Sequence, residues 1–276
     1  MNIYAFADEA SSALAGQIAA LRRNQLNGLE IRNVDGESVS NISLQKAREI
    51  RDRLNAEGLT IWSVGSPIGK ISIDEAQFEQ HLDLFKATLD IARALDCQNI
   101  RLFSFYIPAE RPVSAYRQKV LDQMARFADA ARGSGIALCH ENEKGIYGAR
   151  AAECVDLMEH LPSMRAIFDP ANFIQCGQET ASAWAMLKPY VKYLHIKDAL
   201  ADGRVVPAGE GVGHVREIVH DFMASGGRAL SIEPHLKVFS GLDALENGQK
   251  SRFAHQYESR DAAFDAACQA LQSLLA

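Results

Sequence analysis

The stretch HENEKGIYG, residues 140–148, places a histidine, two glutamates, an asparagine and a lysine directly after the apolar run SGIALC. Glu141 closes that run. Three later apolar runs end in a comparable way, with Asp169 in FDPANF, His195 in YLHIKD and Glu233 in SIEPHL. Three carboxylates and one imidazole make a hard, oxygen-rich donor set suited to one divalent ion, Mn2+ or Mg2+, with Co2+ and Zn2+ admissible. Carboxylates gathered in a low-dielectric interior would not all stay ionised without a cation. Any one of these residues alone is as well explained by a capped turn or a rim hydrogen bond. Four at matched positions in successive runs are not.

For the four to converge, the runs must be neighbouring strands. Eight short β-rich runs are spread along the chain: IYAFA from Ile3, GLEIR from Gly28, LTIWSV from Leu59, NIRLFSF from Asn99, GIALCHE from Gly135, RAIFD from Arg165, VKYLHIK from Val191 and ALSIEP from Ala229. Amphipathic stretches separate them, as in FEQHLDLFKATLDIARAL, where Phe78, Leu82, Phe85, Leu89 and Ala92 share one face. Others fall near 11–24, 44–57, 113–132, 151–161, 180–188 and 214–225, and RDAAFDAACQALQSLL closes the chain. Eight strand–helix units over 276 residues predict an α/β fold, a (β/α)8 TIM barrel forming a single domain over 1–276. A doubly wound sheet would usually carry a glycine-rich phosphate loop after its first strand, and DEASSALAG is not one. In a barrel the C-terminal strand ends share one rim, where active sites sit. Neighbouring strands lie about 5 Å apart, so inward-facing side chains at that rim can meet. Alternation predicts Cys139 and Glu143 on the inward face with Glu141, and Leu138 and His140 toward the helices.

Five further residues are candidates for substrate contact. Asn172 lies three after Asp169; Lys197 and His235 share the inward parity of His195 and Glu233; Lys70 follows a turn in SPIGK; Glu210 sits on the glycine-flexed loop PAGEG. Glu30 and Arg32 alternate along the second strand and are expected to pair structurally inside the barrel. Lys144 and Tyr147 carry no assigned role, and His81, His160 and His220 fall on helices as structural residues. Leu236 to about Glu258 reads as a long loop.

Composition narrows the function classes. Hydrophobic residues make up 47% and charged residues 23%, ordinary for a soluble globular protein. The net charge of −6 argues against nucleic acid or an anionic membrane as partner. Cys97, Cys139, Cys154, Cys176 and Cys268 show no C-x-x-C spacing, so reduced thiols in a cytoplasmic protein are expected. No leader-like start and no membrane-spanning run is expected from the sequence. A homodimer is the expectation by base rate.

From FADEA through LEIR, SPIGK, HENEKGIYG, FDPANF, LHIKDA, PAGEG and SIEPHL, nearly the whole chain resembles the xylose-isomerase-like TIM-barrel superfamily, and within it the sugar phosphate isomerase/epimerase group. That resemblance implies a small carbohydrate substrate. In ketose 3-epimerases, Glu, Asp, His and Glu at such strand ends hold one divalent metal and the two glutamates shuttle a proton. Carried over, these are Glu141, Asp169, His195 and Glu233, with Glu141 and Glu233 catalytic. Asn172 departs from the pattern, since the epimerases place a substrate-contacting histidine there. The implied activity is isomerisation or epimerisation of a small polyhydroxy carbonyl compound through a metal-bound cis-enediolate. Loss of a β-leaving group from the same enediolate would give a dehydratase, lyase or keto-glycoside deglycosidase. Apurinic-endonuclease-like hydrolysis needs more metal ligands than are counted here, and a non-catalytic sugar-binding barrel would not need a carboxylate cage.

Overall fold

Each apolar run becomes one strand of a closed parallel ring in the computed structural model, which describes residues 1–74, 76–239 and 252–276. The strands are β1 (Asn2–Ala5), β2 (Gly28–Ile31), β3 (Thr60–Gly65), β4 (Asn99–Leu102), β5 (Ala137–Glu141), β6 (Arg165–Phe168), β7 (Val191–Ile196) and β8 (Ala229–Ile232). Their order around the ring follows the sequence, and β8 closes on β1 with Tyr4 opposite Ser231. The fold is a TIM barrel.

The period-2 alternation of the strands sorts side chains into two layers. Tyr4, Cys139, Ile167, Tyr193 and Ala229 face inward and pack with Trp62 in the barrel interior. Tyr4 stacks on Trp62 at 5.3 Å, and Trp62 meets Tyr193 edge-on at 5.8 Å. Leu138, Phe168, Leu194 and Leu230 face the other way, into the core beneath the helices. The helices follow the strands as α1 (Leu14–Arg23), α2 (Leu44–Ala56), α3 (Phe78–Ala94), α4 (Arg117–Ala131), α5 (Ala151–His160), α6 (Pro170–Gln175), α7 (Thr180–Leu187), α8 (Val215–Ala224) and α9 (Arg260–Leu275). The stretch expected as one helix from 113 opens as a separate 3-10 turn, Val113–Tyr116, behind Pro112. All five cysteines are unpaired, and four of them are buried. Among the described residues no helix is long and apolar enough to cross a membrane.

Two sequence motifs prove to be halves of one structure. Asp198, just beyond β7, accepts backbone N–H groups from Ala199 and Gly213 on Oδ1 (2.8 and 3.0 Å) and from Gly209 and Gly211 on Oδ2 (2.9 and 3.1 Å). The glycines are there because the loop backbone wraps the carboxylate: a Cβ on Gly211 would lie 2.3 Å from both Asp198 Oδ1 and the Ala199 carbonyl oxygen. Asp198→Ala is therefore expected to cost roughly 2–4 kcal/mol, the scale for stranding several backbone donors. Thermal unfolding checks this, and an unchanged melting temperature would contradict it. Of the long loop expected over Leu236 to Glu258, residues 240–251 lie outside the described residues. At its described ends Leu236 and Phe239 are buried, and Arg252–Ala254 runs beside Val205, which donates to Arg252 O at 2.8 Å.

Candidate active site

The last residue of β5, the residues following β6 and β8, and the penultimate residue of β7 put Glu141, Asp169, Glu233 and His195 at one end of the barrel. One donor atom from each lies within 4.8 Å of all the others, and all four residues are buried. His195 Nδ1 is 3.0 Å from Glu141 Oε1, 3.6 Å from Glu233 Oε2 and 3.9 Å from Asp169 Oδ2.

Local chemistry aims each carboxylate. Asp169 caps α6, accepting the Asn172 N–H on Oδ1 at 2.9 Å, with Pro170 in the first turn. This leaves Oδ2 turned toward the mouth. Asn142 bridges β5 and β6 like an extra rung of the sheet: its amide donates to Asp169 O (3.0 Å) and its carbonyl accepts the Asp169 N–H (2.9 Å). The other polar residues of HENEKGIYG also have identifiable duties. His140 Nε2 and the Gly148 N–H share Ser104 Oγ at 2.9 and 2.8 Å, and the Tyr147 hydroxyl donates to Asp156 in α5 at 2.7 Å. Lys144 donates to Gln175 at 2.8 Å.

Cations from both sides of the ring surround the cluster. Lys197 Nζ lies 2.8 Å from Glu233 Oε2 and 2.9 Å from Asp169 Oδ2. Arg32 spans Asp8 (2.9 Å), Glu9 (3.1 Å) and Glu233 (3.1 Å), its guanidinium over Phe6 and Phe239. Arg101, wholly buried, approaches Glu141 Oε2 at 3.2 Å and Glu233 Oε1 at 3.7 Å. Burial raises the Asp169 carboxyl to about 7 with Glu233 and Glu141 adding to the effect, despite the opposing pull of Lys197. Burial also works against the charged form of Glu233, but Lys197, His235, His195 and Arg32 overcome it and hold this group well below the usual carboxylate range. For His195, burial is outweighed by Glu141 and Glu30, which favour the imidazolium.

The donor set fits a divalent cation. Glu141 Oε2 and Asp169 Oδ2 are buried and accept no hydrogen bond, although Arg101 and Lys197 lie at ion-pairing distance. Seven carboxylates, Asp8, Glu9, Glu30, Glu141, Glu143, Asp169 and Glu233, face four fixed cations, Arg32, Arg101, Lys70 and Lys197. An excess of negative charge in a buried site favours a bound cation or a retained proton.

Of the other candidate residues, Asn172 donates to Asn142 O at 2.9 Å and reaches Glu141 Oε1 at 3.3 Å, so it lies against the cluster. Lys197 is within it. Lys70 pairs with Glu143 at 3.1 Å above the Phe103 ring. His235 stands 3.6 Å from Glu233 and 3.4 Å from Glu9. Glu210 is not at the site: it is exposed and pairs with His255 at 2.8 Å, because Asp198 gathers the neighbouring glycine N–H groups and turns the Glu210 side chain outward. Nor do Glu30 and Arg32 pair with each other. A separation of two residues raises them about 6.5 Å apart along the strand. Glu30 consequently meets His195 and Tyr193, while Arg32 meets Asp8, Glu9 and Glu233. Sequence reasoning also missed Arg101 as a site residue. Its signal was a charge at inward parity within the apolar run NIRLFSF.

A family model described as a xylose isomerase-like TIM barrel matches residues 18–270. A curated Escherichia coli (strain K12) relative, the uncharacterized protein YihM, is 26% identical over 195 residues, covering 69% of this chain and 53% of YihM. The matched region thus spans about half of that relative. Among solved structures, an L-ribulose 3-epimerase superposes with a TM-score of 0.77 at 19% identity, covering 100% of this chain and 94% of its own. The IOLI protein with a bound zinc atom gives 0.76 at 12% identity, with 100% and 98% covered. At these identities the structural likenesses establish the fold.

Proposed function

The chain belongs to the xylose isomerase-like TIM-barrel family, and on that premise we propose that it is a divalent-metal-dependent isomerase or epimerase of a small polyhydroxy carbonyl compound. One observation carries the reading: Glu141 and Glu233, from strands on opposite flanks of β6 and β7, bring carboxylate oxygens into the same buried cluster as His195 and Asp169. Glu141, Asp169, His195 and Glu233 would hold Mn2+ or Mg2+, in a donor set of the kind that also accepts zinc, the ion bound in the IOLI structure. A cation there supplies Lewis acidity to a carbonyl and the adjacent hydroxyl, making the hydrogen on the intervening carbon more acidic.

The chain's own residues handle the proton. In epimerisation one of the two glutamates takes it from carbon and the other returns a proton to the opposite face, with no other bond broken; in isomerisation the proton returns to the former carbonyl carbon, and the hydroxyl proton passes to the former carbonyl oxygen. Glu233 is held ionised by Lys197, His235, His195 and Arg32 and so is available to accept the proton. Lys197 has one N–H beyond its pairs with Asp169 and Glu233 to offer a substrate oxygen, Asn172 steadies Glu141, and the buried setting of the cluster limits leakage of the proton to bulk water. Turnover of keto-sugars and sugar acids in D2O with added Mn2+ is the test. Deuterium is expected on the carbon next to the carbonyl of recovered substrate or product. An enzyme that instead released water or a glycoside from the same pool would move the assignment to a lyase. Inertness toward every compound of this class would refute it.

A further inference from the structure

We propose that Glu30 is a positioning residue whose carboxylate grips the far nitrogen of His195, turns Nδ1 toward the three carboxylates, and thereby sets the affinity of the site for a divalent cation. The inference rests on the reading of His195 as a ligand and adds a residue on the opposite side of the barrel to it.

The His195 ring is packed so that little besides its two nitrogens is left to make polar contacts. Phe6 meets the ring edge-on at 5.4 Å and Tyr193 lies at 5.6 Å. Nδ1 faces Glu141, Glu233 and Asp169. Nε2 points across the barrel to Glu30 Oε2 at 3.1 Å. Glu30 is completely buried and its second oxygen is also engaged, accepting from the Tyr193 hydroxyl at 2.7 Å, which in turn lies 3.1 Å from Ser63 Oγ. The β2–β3 register shifts between Leu29 and Glu30, bringing Ser63 rather than Trp62 opposite Glu30. Such irregularities re-aim side chains. The carboxylate is thus anchored through Oε1 by Tyr193, which leaves Oε2 aimed at the ring. A carboxylate on one imidazole nitrogen selects the tautomer that presents the other nitrogen as a ligand and makes it more basic.

The experiment measures Mn2+ affinity by equilibrium dialysis for wild type, Glu30→Ala and the isosteric Glu30→Gln, with circular dichroism as the check on folding. Removal of an outer partner of a ligating histidine typically weakens metal binding about 10–100-fold, and a loss in that range is expected for Glu30→Ala, with a smaller one for Glu30→Gln. In the Zn2+-loaded wild type, nitrogen-15 NMR is expected to report a protonated Nε2 and a ligating Nδ1 on His195, with that assignment lost in Glu30→Ala. Should Glu30→Ala not fold, Glu30→Gln and Tyr193→Phe, which releases only Oε1, read the same weakening. Folded variants that bind Mn2+ within twofold of wild type and keep the His195 nitrogen signals overturn the inference. A wild type that binds no Mn2+ overturns the ligand reading itself and takes the inference with it.

Discussion

Glu233→Gln and Glu141→Gln are each expected to lower turnover by about a hundredfold or more, the scale for losing a positioned general acid or base. The substitution keeps the side-chain volume and removes only the charge and the titratable oxygen. Because both glutamates are also proposed metal ligands, the effect is readable as proton transfer when the fold is retained and the rate is measured at saturating Mn2+. At Glu233 the change reaches further, because Lys197, Arg32 and Arg101 all lean on this carboxylate. An added loss of stability is expected there, since breaking a buried ion pair strands its partner. Glu141→Gln leaves Lys197 paired with Asp169 and Glu233 and disturbs Arg101, which keeps Glu233 at 3.7 Å, and His195, so it is the milder of the two. Steady-state rates with circular dichroism as the folding control decide the matter. Wild-type turnover in both folded variants would end the proton-transfer proposal.

His195→Ala and Asp169→Asn are expected to lose bound Mn2+ and activity together, His195→Ala more completely because it removes the sole nitrogen donor of the four. Metal analysis after Mn2+ loading and desalting is the measurement, and a variant retaining a full equivalent would remove that residue from the ligand set. The same centre predicts a pH dependence whose sign is fixed. The Asp169 carboxyl, raised to about 7 by burial and its acidic neighbours, keeps its proton below that pH. A cation must displace this proton, and His195, whose imidazolium form Glu141 and Glu30 favour, must also give one up to become a ligand. Mn2+ affinity is therefore expected to fall as pH drops below about 7, with protons released on binding. Affinity that is constant from pH 8 to about 5.5 would contradict the coupling.

Most of the barrel was legible because its signals are local. Apolar runs bounded by polar residues gave all eight strands, and the errors came where local pattern meets tertiary demand. The run NIRLFSF continues to Phe105 in sequence, but the strand stops at Leu102: the Phe103 N–H turns to Ile68 O, and Phe105 adopts a φ of 64°. At the site, parity correctly turned Lys197 and His235 inward with their neighbours. Parity says nothing of height, so Glu30 and Arg32 looked like partners although each belongs to a different level of the barrel. Glu210 was misplaced for another reason. The fate of a glycine-flexed loop depends on which acceptor captures its N–H groups, and here it is Asp198, which is distant in sequence from most of the donors it receives.

The split of charge between the two halves of the barrel bears on how the chain can assemble. Arg32, Arg101 and Lys70 come from the β1–β4 half, whereas Glu141, Glu143, Asp169 and Glu233 come from the β5–β8 half, and the contacts Arg32–Glu233, Arg101–Glu141 and Lys70–Glu143 all cross the divide. Each half keeps some pairs of its own, Arg32 with Asp8 and Glu9 and Lys197 with Asp169 and Glu233, but the three crossing contacts form only when both halves are present, and lacking them in a dry interior costs several kcal/mol. An isolated half-barrel would therefore keep its prospective interior wet, and desolvation of the mouth would wait for β8 to dock against β1. The same ion pairs that shape the site thus make folding of the ring cooperative, discouraging a dry intermediate that lacks its last strand.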